Sequence, residues 1–230
     1  MSTYQYKDLL LKDIDPYANA KYDIIRNYLK GKKLNILNAG CGTGELAVLL
    51  AKDGHKVLGI DREPEYIRIA KQAKEVSYKT SSIEEFEGEF DCVISNDVLE
   101  HIEDDKTAIR KLEDMVKPGG YLILTVPALQ SLYGFHDVEL GHYRRYSAPQ
   151  LKKMIKGFSI KTRYFGFTLI PVCILFSKIL KRAYPISSHG QGILLKFLLR
   201  MEKIIAAPLG TSLMLFGRKH NYELTGTSCV

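Results

Sequence analysis

Apolar positions along the chain alternate between helical and strand-like spacing, with glycine and proline marking most of the changes. Behind Asp15-Pro16, an N-cap and a first-turn proline, the spacing predicts a helix that ends before Gly31. Leu34 to Leu37 reads as a buried strand running into a glycine cluster, and Glu45 to Lys52 as a helix stopped by Asp53-Gly54. Lys56 to Ile60 predicts a second strand, Pro64 to about Lys74 a helix, and Val76 to Lys79 a weak third strand. Phe90 to Ser95 follows as a fourth strand, Asp105 to about Val116 as a helix, and Pro118-Gly119-Gly120 as a tight turn. Tyr121 to Val126 is a fifth strand, and the long stretch Pro127 to Tyr146 shows no period. Ser147 caps a helix through Lys156, and residues 158–168 and 211–218 read as two last strands flanking an apolar insertion.

Strands alternating with helices of this length imply βαβ units, and right-handed crossovers then favour a doubly wound sheet. The expectation is an α/β fold with a mostly parallel, seven-stranded sheet and an apolar helical insertion before the last strand. At 230 residues the whole chain, 1–230, fits one domain.

Composition adds a polarity to this picture. The net charge of +7 conceals a basic last third: residues 151–230 hold 13 Lys/Arg against two Glu, a net +11, while the first 150 carry −4. No stretch interleaves basic and stacking aromatic residues along a groove, so nucleic acid is not an expected partner. The four cysteines have neither disulfide nor metal spacing, and Met1 to Lys12 has no apolar signal core, which together predict a cytoplasmic protein.

The chemistry begins at Asn38-Ala39-Gly40-Cys41-Gly42-Thr43-Gly44. Glycines at a strand end let bare backbone approach a ligand, and the helix behind them aims its free N–H groups at the loop. Asp61 closes the second strand, where a carboxylate can accept from ribose hydroxyls. A nicotinamide-dependent oxidoreductase, the rival enzyme class, would need a third glycine at position 45, which is Glu45. A binding protein with a relic cofactor site is the third class.

With LNAGCGTG, VLGID, FDCVISNDVLEHI and VKPGGYLILTVP in this order, residues 30–126 resemble the class I S-adenosylmethionine-dependent methyltransferases. The resemblance implies S-adenosylmethionine as cofactor. It places Gly40 and Gly42 under its methionine and sugar portions, Cys41 and Gly44 of the same loop in the cofactor site, Asp61 on the ribose with Arg62 beside it, Ser82 and Ile83 by the adenine, and Asn96 at the methionine end. Two positions depart from the pattern: relatives commonly carry Asp or Glu at Asn38, and often Asp at Ser82. Asn38 can still orient the loop through hydrogen bonds.

A hydroxyl acceptor needs a base or a metal to form its oxyanion. Asp97, Glu100 and His101 lie at i, i+3 and i+4 and would share a face if NDVLEHI opens a helix. This D-x-x-E-H is similar to the E-x-x-E-H of ubiquinone-pathway O-methyltransferases, whose acidic groups and His can hold a divalent cation. Here no metal is expected, with Asp97, Glu100 and His101 as the candidates if one binds. The segment 127–146 is read as an acceptor loop. His136 and His142 are candidate bases; Asp137, Tyr143, Arg144, Arg145 and Tyr146 are candidate substrate contacts. The alternative for this loop is internal pairing, Arg144 with Asp137 or Glu139.

Tyr164 to Ser177 is uncharged but too short to span a bilayer, and Lys196, Arg200 and Lys203 form a basic stripe on the apolar segment Ile193 to Ile205. Residues 167–209 are therefore read as a lid over a greasy acceptor, a peripheral contact with the inner membrane face, or a homodimer contact. The expected activity is O-methylation of an amphipathic small molecule or lipid-linked intermediate; N- or C-methylation of a soluble small molecule is the alternative.

Overall fold

A computed structural model of the chain describes residues 16–182, 198–202 and 207–221. Asp15 and most of 193–205, the segment with the predicted basic stripe, lie outside these residues. The chain runs α1 (Pro16–Leu29), β1 (Asn35–Ala39), α2 (Glu45–Lys52), β2 (Lys56–Asp61), α3 (Pro64–Ala70), β3 (Ser77–Thr80) and β4 (Phe90–Asn96). Then follow a 3-10 turn (Leu99–His101), α4 (Asp105–Asp114), β5 (Val116–Pro127), α5 (Phe135–Leu140), α6 (Ala148–Met154) and β6 (Phe158–Phe165). After α7 (Ile170–Cys173) and a π-helical turn (Ile174–Ile179), β7 (Ser212–Lys219) closes the sheet.

The seven strands stand in the order β3-β2-β1-β4-β5-β7-β6. The first five run parallel, and β7 enters antiparallel between β5 and β6. Strand order reverses between β1 and β4, so their carboxyl ends open onto a crevice with helices diverging to either face. Both faces of the sheet are covered. Leu37, Val93, Leu122, Leu124 and Leu215 pack into one core with Ile109 and Leu112 of α4, while Ile36, Cys92, Ile94, Ile123 and Met214 pack into the other with Ile25 of α1 and Leu50 of α2. This period of two, buried on both sides, accounts for the continuous apolar runs of the central strands. Trimming one such side chain, as in Leu122→Ala, should cost about 2–5 kcal/mol.

Several expectations shift in detail. The helix from Pro64 ends at Ala70 rather than near Lys74. The Pro118-Gly119-Gly120 turn is a bulge inside β5: pairing with β4 passes from Phe90–Val116 directly to Cys92–Tyr121. The segment 127–146 is not irregular throughout, since it holds a 3-10 turn at Gln130–Leu132 and the helix α5. No described helix is long and apolar enough to cross a membrane.

Candidate functional site

The glycine loop folds over the end of β2. The N–H groups of Gly40 and Cys41 both donate to the Ile60 oxygen at 2.8 Å, and that of Gly42 donates to Asp61 Oδ2 at 2.8 Å. Gly40 has φ 72°, and a Cβ there would stand 2.3 Å from Val98. Gly44, at φ 92°, starts α2, and a Cβ on it would meet the Tyr78 hydroxyl at 2.5 Å. Both positions thus require glycine for conformation and for space.

Asp61 also accepts from the Glu63 N–H at 3.0 Å, and Ser81 N donates to the Asp61 backbone oxygen at 3.0 Å, bringing the Ser82-Ile83 segment beside it. Ser82 Oγ accepts from Glu85 N at 3.3 Å and Ile83 is buried. Arg62 is exposed, 3.8 Å from the Glu63 carboxylate, and Cys41 is buried. Asn38 is buried at the end of β1 with no hydrogen-bond partner on Oδ1. An unsatisfied buried amide beside a glycine loop, a helix start and a strand-end carboxylate fits a polar ligand such as S-adenosylmethionine. Asn38, Gly40, Gly42, Gly44 and Asp61 would hold it.

The segment after β4 departs from the sequence reading. Asp97 has φ 53°, and only Leu99–His101 form a helical turn, so Asp97, Glu100 and His101 do not line one helix face. The Asp97 carboxylate turns to Lys21 of α1, its Oδ2 accepting from the buried ammonium and its Oδ1 lying 3.0 Å from the Thr125 hydroxyl. Burial pushes its carboxyl up, but the Lys21 charge and hydrogen bonds outweigh this and hold it below the ordinary range. Asn96 shares the cluster, its Oδ1 2.8 Å from Thr125 Oγ1 and its Nδ2 3.2 Å from Asp97 Oδ2.

Glu100 and His101 meet His142 instead. These three offer ligand atoms within 4.8 Å of one another, a set that could hold a divalent ion; the candidate metal group is therefore Glu100, His101 and His142, with Asp97 replaced. Glu100 is buried, its Oε2 has no hydrogen-bond partner, and desolvation with the nearby Asp97 charge raises its pKa well above normal. The His101 ring packs edge-on against His142, centroids 4.7 Å apart. Burial, with repulsion from His142, lowers its pKa to about 4.

Asp137 is the hub of the 127–146 segment. Its Oδ1 lies 2.9 Å from His142 Nδ1 and accepts from Arg145 Nε at 2.8 Å, while Oδ2 accepts from Gly134 N at 3.0 Å. Burial opposes its charge, but these bonds from His142 and Arg145 prevail and lower its pKa. An ionised Asp137 can only accept, so His142 must carry its proton on Nδ1, which leaves Nε2 basic. The arrangement matches the carboxylate–imidazole pairing that orients a general base.

Other loop residues stand elsewhere than expected. Arg145 is buried, with Nη1 donating to the Ala128 oxygen at 3.3 Å, so it braces the loop from within. Arg144 pairs with Asp105 at 2.9 Å and donates to the Glu103 oxygen at 2.8 Å, rather than reaching Asp137 or Glu139. Tyr146 is fully buried with its hydroxyl 2.9 Å from Asp105 Oδ2. His136 is buried on α5, and burial lowers its pKa to about 4. Tyr143 remains half-exposed, stacked under Arg144, and its N–H donates to the Glu100 oxygen at 2.8 Å.

The residues that sequence reasoning missed are Lys21 and Thr125, which hold Asp97. A signal for Lys21 was present: it lies at i+4 from Tyr17 and i−4 from Ile25, on the helix stripe that is buried.

A family model described as methyltransferase domain matches residues 13–164. The ubiquinone biosynthesis O-methyltransferase of Methylocella silvestris is 39% identical over 97 residues, 39% of this chain and 38% of that protein. That of Xanthomonas oryzae pv. oryzae is 34% identical over 118 residues, 47% of this chain and 46% of the relative. The chain thus spans less than half the length of these curated relatives. Among solved structures, a S-adenosylmethionine-dependent methyltransferase of Thermotoga maritima, described as a possible histamine N-methyltransferase, superposes with a TM-score of 0.64 at 17% identity, covering 94% of this chain and 95% of that one. Magnesium protoporphyrin IX methyltransferase of Synechocystis PCC 6803, solved with bound SAH, gives 0.61 at 21% identity, covering 91% and 87%. The sheet order, the glycine loop and the family match agree: this chain belongs to the methyltransferase-domain family and has the fold of the class I S-adenosylmethionine-dependent methyltransferases.

Proposed function

We propose that the chain transfers a methyl group from S-adenosylmethionine to a hydroxyl oxygen of an amphipathic acceptor, with His142 as general base. The observation that carries this reading is the Asp137–His142 pair, 2.9 Å apart, beside His101 and Glu100. S-adenosylmethionine, when bound, supplies a methyl group on a sulfonium sulfur. What the protein adds is alignment, a dry pocket and a place for the acceptor's proton. His142 Nε2 takes that proton as the oxygen gains its carbon, and Asp137 stabilises the imidazolium. Burial favours the neutral forms of both His101 and Glu100, which weakens their competition for it. A neutral amine acceptor would need no such base, which favours oxygen over nitrogen, and the partial likeness to O-methyltransferases supports the same choice.

The test is incubation of the purified protein with methyl-labelled S-adenosylmethionine and separate lipid and polar cell extracts. Label in a base-stable methyl ether of the lipid fraction is expected, strongly reduced in His142→Ala. Label confined to amines or carbon centres of polar molecules overturns the reading.

A further inference from the structure

The helix that follows β6 is inside out. Along α7 and its π-helical continuation, the buried positions are Cys173 and Ser177, a thiol and a hydroxyl one turn apart. Val172, Ile174, Leu175, Ile179 and Leu180 all point to solvent, Ile179 with 67% of its surface exposed. A helix resting on a water-soluble domain does the opposite, turning its aliphatic stripe inward. Here the small polar face is held inward by specific contacts: Ser177 Oγ accepts from His136 N at 3.3 Å, and Arg145 Nη2 lies 3.8 Å from Cys173 Sγ. The orientation is therefore anchored to the acceptor loop, and the outward aliphatics follow from it.

The exposed apolar side chains are not scattered. Among the described residues, the large ones all fall between Phe135 and Leu209, and none lies on the glycine-loop half of the domain. Such clustering marks an interaction surface. Its charge identifies what it meets. Between Glu139, exposed on α5, and Glu202 there is no acidic residue and there are 12 Lys/Arg. Lys178, Lys181 and Arg182 are exposed within or directly after the apolar helix. The next acid, Glu202, is spent internally: its carboxylate accepts from the N–H groups of Gly166, Phe167 and Thr168 and from the Thr168 hydroxyl. It fixes the turn leading into α7 and offers nothing outward.

We infer that the outer face of α7 and its π-helical continuation, with Lys181 and Arg182, docks the protein on an anionic lipid bilayer, its aliphatics in the interface and its basic groups among the headgroups. Interfacial helices combine these two features, and neither alone would suffice. A second copy of the chain is a poorer occupant, because it would bring the same net positive charge against itself. The site stands independently of the acceptor: it predicts where the protein resides, and its inner side is the floor of the loop that carries His142. A membrane acceptor would then reach the pocket without crossing water.

The test uses the full chain with sedimented vesicles of phosphatidylcholine alone or mixed with phosphatidylglycerol, at low and high salt. Binding to the anionic vesicles is expected, weakened severalfold by high salt through screening. Ile179→Asp and the pair Lys181→Glu/Arg182→Glu should each reduce binding about tenfold or more, as expected for losing interfacial burial or headgroup attraction. All three positions are exposed, so thermal unfolding and S-adenosylmethionine binding should remain those of the wild type. Failure to bind either vesicle overturns the inference, as does binding unaffected by these substitutions. A dimer dissociated by Ile179→Asp, without vesicle binding, assigns the face to a second copy and overturns it equally.

Discussion

Lys21 on α1 donates to Asp97 after β4, so the first described helix is tied directly to the carboxyl end of β4. The two ends of this ion pair differ in exposure: the lysine side chain is 6% exposed and the aspartate 32%. Removing the carboxylate faces a buried ammonium with a neutral group, whereas removing the ammonium leaves a carboxylate that water can reach. Asp97→Asn should therefore cost about 3–5 kcal/mol of stability, and Lys21→Met clearly less. The double variant should be more stable than Asp97→Asn alone. Urea unfolding of the three variants measures this, and additive losses would show that the pair is not coupled.

Asp61 holds the glycine loop through the Gly42 N–H as well as facing the crevice. Asp61→Ala should consequently weaken S-adenosylmethionine binding by more than one lost hydrogen bond, on the order of tenfold to a hundredfold. Asp61→Asn, which keeps an acceptor for Gly42, should lose less. Calorimetry on both variants decides it. Equal affinity in Asp61→Ala and wild type would remove Asp61 from the cofactor site.

If His142 is the base, His142→Ala should reduce turnover by about a hundredfold to ten-thousandfold while leaving cofactor affinity unchanged. Asp137→Asn should also reduce turnover, because an amide can favour the wrong imidazole tautomer. His136, buried on α5 with its N–H on Ser177, is expected to act on stability rather than turnover. Single-turnover rates set beside cofactor affinities separate these roles.

Acid stability should carry the signature of two imidazoles, His136 buried and His101 half-buried. Burial lowers His101 and His136 from the ordinary 6.5 to about 4. Between those values the unfolded chain binds protons that the folded chain refuses, so stability falls as pH drops from 6.5 towards 4. Below that window these groups are protonated in both states and add no further slope. The loss is on the order of 3 kcal/mol for His136 across the window. Urea midpoints at stepped pH should show this slope, and His136→Asn should flatten part of it.

The sheet was legible because both its faces are buried, so the strands stand out as short apolar runs between turn residues. The glycine loop was legible for a related reason: Gly40, Gly44 and Asp61 stand at strand and helix ends, which local sequence marks. The cluster around His142 depends on side chains that meet across long separations. Glu100 and His101 join His142 because Asp97 adopts a left-handed backbone, which breaks the helix face that their spacing suggested. Arg144 and Arg145 are neighbours in sequence but leave the chain in different directions, one to Asp105 and one to Asp137. Helix α5 has six residues, under two turns, too few for a period to register.

Glu100 separates the two ways in which this pocket can draw a proton from an acceptor. Its pKa is raised by burial and by the Asp97 charge, which favours the neutral carboxyl beside the two imidazoles. A divalent cation would need it ionised as a ligand beside His101 and His142. Glu100→Gln preserves shape and neutrality but cannot supply that charge. With His142 acting alone, the variant should keep most of its turnover, and chelation should leave the wild type unaffected. Stability gives an independent reading. A group protonated when folded but ionised when unfolded destabilises the fold increasingly as pH rises above its ordinary value of 4.5. Glu100→Gln should thus unfold at or above the wild-type midpoint at neutral pH, the difference shrinking as pH approaches 4.5. Loss of turnover in the variant, with a chelated wild type rescued by a divalent ion, would instead assign Glu100, His101 and His142 to a metal.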